Sequence, residues 1–246
     1  MRVIAIFTLL FLSACQSVPE NLEQPRRQFD SPSLENFARE QFAVYDPAEG
    51  ANKQMYKFNA LADEYILVPV VDAYKFVAPE FARKRVANFF LNVGEVGNFT
   101  NSVFQLKPGA AGITLGRFGI NTTIGVAGMF DVASDWGIQR QGQDFGKTLG
   151  YYGVEAGPYV MLPLLGPSNL RDTTGFVVDF VTLSLIVPND IESSTAYKIV
   201  AYGVQPVNTR AVNDFRYFQS GSAFEYELVR YITATGRQLQ IDKNNE

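Results

Sequence analysis

Apolar residues recur at three- and four-residue spacing along most of this chain, and nowhere is a period-two alternation sustained. That spacing puts side chains on one stripe of a helix and does not suit a half-buried strand. The expected fold is therefore mostly α-helical. Helix punctuation agrees. In Asp46-Pro47-Ala48-Glu49, Asp46 is placed to cap free N–H groups, Pro47 needs no N–H at the first position, and Glu49 is placed for the reciprocal bond. The helix that follows carries Met55, Phe58, Ala62, Tyr65 and Ile66 on one side, and Pro69 interrupts or restarts it. Pro79 opens another, with Val86, Phe89, Phe90 and Val93 apolar. Gly94 to Leu106 is helical again. Further helices are expected over Asn169 to Val187, near Ala196 to Phe218, and from the capping box Ser222-Ala223-Phe224-Glu225 towards Leu239. A short amphipathic helix is expected around Leu34, Phe37, Ala38, Phe42 and Tyr45.

Three stretches depart from ordinary helix. Gly109, Gly112, Gly116 and Gly119 fall on one helical face. Glycine costs about 1 kcal/mol against alanine inside a helix, so four of them need a reason. Close approach in a tightly packed core is one reading, and contact with lipid or a pore is the other. Next comes an apolar stretch of small residues, Gly125, Val126, Ala127, Gly128, Met129, Phe130, Asp131, Val132 and Ala133. It reads as a hairpin or re-entrant turn, in which Gly125 and Gly128 permit φ > 0. It is either a buried connection or a functional loop. Residues 142–167 are rich in glycine and proline and predict an irregular, ordered segment with Val160-Met161-Leu162 extended.

The N-terminus carries Arg2 and an apolar run from Val3 to Leu12. The run is shorter than the ~20 residues that span a bilayer and suits an export signal. Leu12-Ser13-Ala14-Cys15 resembles the bacterial lipobox, with small residues before the bond to be cut and a thiol to receive diacylglycerol. Cys15 is the one cysteine of the chain. The expected organisation is a lipoprotein signal peptide over 1–14, a lipidated N-terminus and flexible tether over 15–33, a single helical domain over 34–240, and a polar tail over 241–246. Two or three acyl chains make a durable anchor where one does not. Gln16, in place of Asp after the cysteine, implies the outer membrane, facing the periplasm.

Composition narrows the function classes. The chain has no histidine, which removes Ser-His-Asp and Cys-His catalysis, His-ligated metals and the usual base near neutral pH. The net charge of −4 gives no basic patch for nucleic acid. Gly142 to Thr148 has three residues between its glycines where a phosphate loop needs four, and there is no Gly-x-Gly or Gly-x-Ser-x-Gly. No enzyme, cofactor or metal is expected. Arg83-Lys84-Arg85 is either a solvated helix face or a contact for lipid phosphates. Arg171-Asp172 is a structural ion pair or a capping arrangement.

Several of these stretches form an ordered set. The lipobox is followed by Asp46-Pro47-Ala48-Glu49-Gly50-Ala51-Asn52-Lys53-Gln54-Met55-Tyr56-Lys57-Phe58-Asn59 and Arg117-Phe118-Gly119-Ile120-Asn121-Thr122-Thr123-Ile124-Gly125. Then come Phe130-Asp131-Val132-Ala133, Phe145 to Gly153, Gly157 to Pro163 and Gly166 to Asp172. The set resembles the MlaA (VacJ) family of outer-membrane lipoproteins over about Asp46 to Phe218. Tyr151 stands where some members have histidine, and the segment between Cys15 and Asp46 is longer. The resemblance implies a ring-like (donut) helical bundle embedded in the inner leaflet, with an amphipathic channel; the position of the hairpin Gly125 to Ala133 after the glycine-lined helix leads us to expect that it borders this channel and governs passage. It implies removal of misplaced phospholipids from the outer leaflet of the outer membrane and their transfer to a soluble periplasmic carrier of the MlaC type. It also implies association with a trimeric porin. The competing class is an adaptor lipoprotein that binds porins or envelope partners without a lipid path.

Overall fold

A computed structural model describes residues 40–213, 215–220, 222 and 224–245. Cys15, the signal and tether segments, and most of the short helix expected near Leu34 lie outside the described residues. The described chain is mostly helical, as the periodicity predicts. Its helices are α1 (Glu49–Ala62), α2 (Val68–Val77), α3 (Glu80–Phe104), α4 (Pro108–Thr123), α5 (Val132–Asp135), α6 (Phe145–Tyr151), α7 (Leu170–Ile186), α8 (Asn189–Ser193), α9 (Thr195–Ile199), α10 (Gln205–Ala211) and α11 (Glu225–Asn245). Strands β1 (Tyr159–Leu162) and β2 (Gly166–Asn169) pair antiparallel, Tyr159 opposite Asn169 and Leu162 opposite Gly166. The glycine- and proline-rich segment is thus more regular than expected. The described residues fall into two compact units.

The first unit comprises residues 40–66, 157–170 and 215–239. Its core is aromatic: Tyr56, Tyr159, Met161 and Tyr226 are buried together. The Tyr226 ring meets Tyr56 and Tyr159 edge-on at 5.8 and 6.1 Å, the arrangement that ring quadrupoles favour. Helix α1 seals the open edge of β1 with two asparagines on one face. Asn52 donates to the Tyr159 carbonyl at 3.1 Å and accepts from the Met161 N–H at 2.9 Å. Two turns on, Asn59 donates to the Leu162 carbonyl and accepts from the Leu164 N–H at 2.9 and 2.7 Å. Each amide stands in for a neighbouring strand, so the edge has no unpaired ladder groups at those positions.

Two expected caps have other work here. Helix α1 is preceded by Ala48 and has no side-chain cap. Asp46 is instead a buried carboxylate, accepting from Asn52 Nδ2 at 2.7 Å, the Tyr226 hydroxyl at 2.5 Å and Arg230 Nη1 at 2.9 Å. Glu225 likewise does not close a capping box. It is fully buried and accepts from the Tyr56 and Ser220 hydroxyls, both at 2.6 Å, and from the N–H groups of Ser220 and Phe218. A buried carboxylate costs several kcal/mol unless several donors meet it, and tertiary donors supply more than a local cap does.

The second unit comprises residues 67–156, 171–213 and 240–245. A π-helical turn, Asp63–Leu67, leads into α2, and Pro69 sits in the first turn of that helix, where a missing N–H costs nothing. Helices α3 and α4 form a long hairpin with a polar buried side, joined across by Glu95 to Arg117 and Asn92 to Thr122. Asn92, Glu95, Asn98, Asn101 and Ser102 are buried on α3, and Thr114, Arg117 and Asn121 on α4. Leu91, Val93, Phe99, Val103 and Phe104 of α3 and Ile113 and Leu115 of α4 are exposed. In α7, Arg171 and Gly175 are buried while Phe176, Val177, Phe180, Val181 and Leu185 face outward. Among the described residues no helix is long and apolar enough to cross a membrane.

Two further expectations change here. Gly109, Gly112, Gly116 and Gly119 are exposed, and a Cβ at any of them would meet nothing within 4 Å. The four do not serve close helix packing, because the buried polar residues take the opposite side of α4. The close crossing lies elsewhere: a Cβ on Gly175 would come within 2.3 Å of the Gly146 nitrogen, so α6 and α7 meet backbone to backbone. The polar tail expected after residue 240 is helical through Asn245. Ile241 is buried against Gly150, and Asn244 bonds Gln105 and Gln143 at 2.8 and 2.7 Å. One apolar anchor and one bridging amide hold a segment that is polar on average.

Candidate functional site

The turn that follows α4 is built on backbone strain. Val126, Ala127 and Gly128 are consecutive residues in the left-handed region, with φ of 53°, 57° and 85°. A left-handed residue other than glycine costs about 1–2 kcal/mol, and a β-branched one is the least tolerant. Hydrogen bonds offset that cost. The N–H groups of Gly125, Ala127 and Gly128 reach back to the carbonyls of Ile120, Thr122 and Asn121 at 3.1, 2.9 and 2.7 Å, and the Phe130 N–H closes onto the Gly125 carbonyl at 2.9 Å. Gly125 is not itself left-handed. It is required because a Cβ there would lie 2.2 Å from the Phe130 carbonyl oxygen, and one on Gly128 would strike Asn92 at 2.5 Å.

A buried charge network fixes the end of the turn. Asp131 caps α5 by accepting from the Ser134 N–H. Its carboxylate also receives Arg117 Nη2 at 2.9 and 3.1 Å, Asn121 Nδ2 at 2.9 Å and the Ser134 hydroxyl at 2.7 Å. Burial would raise the Asp131 pKa, but the Ser134 and Asn121 hydrogen bonds and the Arg117 charge outweigh it, so the carboxyl lies below its ordinary range. Arg117 is 2% exposed and bridges onward to Glu95 Oε1 at 3.0 Å, and Arg140 approaches the same oxygen at 3.3 Å. Two guanidiniums thus face two carboxylates, and the cluster is formally neutral. From α3, Asn88 donates to the Met129 carbonyl at 3.1 Å and Asn92 to the Thr122 hydroxyl at 2.9 Å.

The nine expected site residues therefore divide by role. Gly125, Gly128 and Ala133 are buried, and Asp131 and Val132 are half-buried. Val126, Ala127, Met129 and Phe130 are exposed, so an apolar tip is presented on a rigid polar base. Sequence reasoning missed the base. Its signal was present on α3 as Asn88, Asn92 and Glu95 at four- and three-residue spacing. Two other singled-out motifs are structural. Arg171 pairs with Asp172 at 3.0 Å, and Lys147 of the rejected phosphate loop donates to the Gly142 carbonyl at 2.6 Å within a segment whose helix is capped by Asp144.

Residues 44–240 match the family model described as MlaA lipoprotein. The chain belongs to the MlaA lipoprotein family. It is 35% identical over 246 residues to an uncharacterized protein of Rickettsia felis, covering 98% of this chain and 95% of that protein. Over 138 residues it is 41% identical to the intermembrane phospholipid transport system lipoprotein MlaA of Escherichia coli K12, which is 54% of this chain and 55% of that one. The corresponding Haemophilus influenzae lipoprotein is 35% identical over 172 residues, 68% of this chain and 67% of that one. Among solved structures, a chain from work described as "Structural basis for maintenance of bacterial outer membrane lipid asymmetry" superposes with a TM-score of 0.66 at 32% identity, covering 80% of this chain and all of that one. The family assignment agrees with the ordered motifs read from the sequence.

Proposed function

We propose that this protein is an outer-membrane lipoprotein that removes misplaced phospholipids from the outer leaflet and passes them to a soluble periplasmic carrier of the MlaC type. In this reading Cys15 carries the lipid anchor, the helical domain sits in the inner leaflet beside a trimeric porin, and the work is transport without chemistry. An amphipathic channel serves the polar head and the apolar tails together. The turn Gly125 to Ala133 borders that channel and governs passage. The supporting observation is the inverted character of α3, α4 and α7, which bury amides and charges and turn Phe, Val and Leu outward. In water that arrangement exposes apolar area at roughly 25 cal/mol per Å2. Against acyl chains the cost vanishes, and the buried polar side chains, Glu95, Arg117 and Asn121 among them, find partners inside the protein that lipid cannot supply. The names of the Escherichia coli and Haemophilus influenzae relatives support the same reading.

The test uses the left-handed turn. Val126→Asn puts a residue that tolerates positive φ where valine does not, so the melting temperature should hold or rise while the tip becomes polar. The variant and the parent protein are expressed in a Gram-negative host lacking its own family member. The parent should restore a phospholipid-free outer leaflet and detergent resistance, and phospholipid should co-purify with it by native mass spectrometry. Val126→Asn should fold and fail. A parent that binds no phospholipid but still pulls down porin would replace transport with an adaptor role. A fully active Val126→Asn protein would remove the turn from the path.

A further inference from the structure

Beside the turn, one cation has no counter-charge. The Arg85 guanidinium carbon lies 3.9 Å from the centroid of the Phe130 ring and 4.6 Å from that of Phe81. No carboxylate among the described residues pairs with it, and its Nε is buried without a hydrogen-bond partner. Its neighbours are all answered. Lys84 pairs with Glu80 at 2.6 Å, Arg83 donates to the Ala78 carbonyl at 2.8 Å, and Arg117 and Arg140 share Glu95. Rings over a guanidinium take up its faces and leave its in-plane N–H donors for an anion, and that fork matches two phosphate oxygens. The surroundings are apolar: Phe81 and Phe130 are exposed, as are Val126 and Met129 on the same turn. An anion that is stable here must bring apolar substance with it, since an ion in water gains little by leaving bulk solvent for such a surface.

We infer that Arg85 binds the phosphodiester of a phospholipid headgroup at the edge of the turn, with Phe81 and Phe130 meeting the adjoining part of its chains. This rests on the transport reading above and adds a named contact to it. Arg85 is then a binding residue, and Phe130 couples headgroup binding to the turn that carries it.

The experiment uses the full-length lipidated protein in dodecyl maltoside. The probes are dihexanoyl phosphatidylglycerol, dihexanoylglycerol without phosphate, and inorganic phosphate. Binding is measured by calorimetry, and 15N-labelled arginine reports the Nε–H resonance of Arg85. The expected result is phosphatidylglycerol binding that weakens about tenfold or more in Arg85→Gln, the loss expected for one charge-assisted hydrogen bond. Arg85→Lys should fall between, and Lys84→Gln should match the parent. The phosphate-free lipid should bind weakly and ignore Arg85, and inorganic phosphate should bind far more weakly than the lipid. Melting temperatures separate loss of the contact from loss of fold. Phosphatidylglycerol binding unchanged in folded Arg85→Gln removes this site and leaves the transport reading intact. Inorganic phosphate binding as tightly as the lipid makes it a simple anion site and overturns the headgroup assignment. A parent protein that takes up no phosphate-bearing lipid removes the transport reading and this site together.

Discussion

The two compact units bury opposite things. In the first, the large side chains sealed from solvent are Tyr56, Tyr159, Met161 and Tyr226, and the buried charges Asp46, Glu225 and Arg230 bond around them. In the second, the sealed side is Asn92, Glu95, Asn98, Asn101, Arg117 and Asn121, and the large apolar residues point away from it. The first obeys the usual rule for a chain folding in water. The second follows the rule that the transport reading proposed above predicts, that of a chain whose outer surroundings are apolar. There, burying Phe or Leu gains little, and internal packing is driven by hydrogen bonds that the surroundings cannot replace. The difference teaches that hydrophobic periodicity locates a helix in both settings but names the inner face only in the first.

The largest effect should come from breaking the polar seam. Arg117→Ala leaves Glu95 and Asp131 facing each other's surroundings without their common cation. Removing one partner of a buried pair costs about 3–5 kcal/mol, so thermal unfolding in detergent should shift by several degrees or the protein should fail to accumulate. A loss under 1 kcal/mol would mean that water reaches the cluster, and the contrast between the units would weaken. Next is the outer face. Leu185 is 82% exposed on α7. In a Cys15→Ala protein, which has no acyl anchor to hide the effect, Leu185→Asp should weaken binding to phospholipid vesicles by about 2–3 kcal/mol, the worth of a buried leucine. Its melting temperature in detergent should barely move. Equal vesicle binding would place that face in water.

Sequence reading recovered the long helices, the turn after α4 and the family, because periods and ordered motifs are local; it extended the helical region near Ala196 to Phe218, where α10 ends at Ala211, and left α6 as irregular. It failed where partners are remote. Tyr56 and Glu225 bond across 169 positions, and Asn52 and the Tyr159 carbonyl across 107. Neither pairing leaves a local trace, so Asp46 and Glu225 read as caps when they are core carboxylates. Arg117 lies inside a quoted motif, yet its need for Glu95 and Asp131 depends on how α3 and α4 register. Val86, Phe89, Phe90 and Val93 were visible as an apolar face of α3, but none of them is fully buried. That inversion is what the proposed membrane setting predicts.

A third test sits in the first unit and carries a sign. Burial and the Glu225 hydrogen bond push the Tyr56 pKa well above its ordinary value of about 10. Its contribution is therefore fully present below that value and lost as pH rises towards the folded pKa. For Glu225, burial alone would raise the pKa, but the bonds from Ser220, Tyr56 and Phe218 lower it on balance. Its contribution is present above the ordinary carboxylate value and lost as pH falls through the lowered one. Tyr56→Phe should cost about 1.5 kcal/mol near neutral pH, as for a hydrogen bond to a charged group, and should flatten the alkaline limb of denaturation curves. An alkaline limb unchanged in the variant would show that another tyrosine, Tyr226 beside Asp46, controls it.

The smallest effect is the most discriminating about the outer face of α4. Gly116 is exposed, helical, and without any atom within 4 Å of a prospective Cβ. Gly116→Ala should then stabilise the protein by up to about 1 kcal/mol, through helix propensity and a less flexible unfolded chain. Gly175→Ala is the opposite control, since its Cβ would sit 2.3 Å from the Gly146 nitrogen and must force α6 and α7 apart. Melts of both variants in detergent check the pair. If Gly116→Ala stabilises and transport in cells is intact, the bare face is only a helix that tolerates glycine. If it stabilises and transport falls, the methyl group obstructs something that passes along the face, and the cost of four glycines in one helix has a functional cause. If it destabilises, the face packs against a partner in detergent, and the outward side of the second unit is an interface. A methyl group separates these outcomes because none of the described residues lies within reach of it.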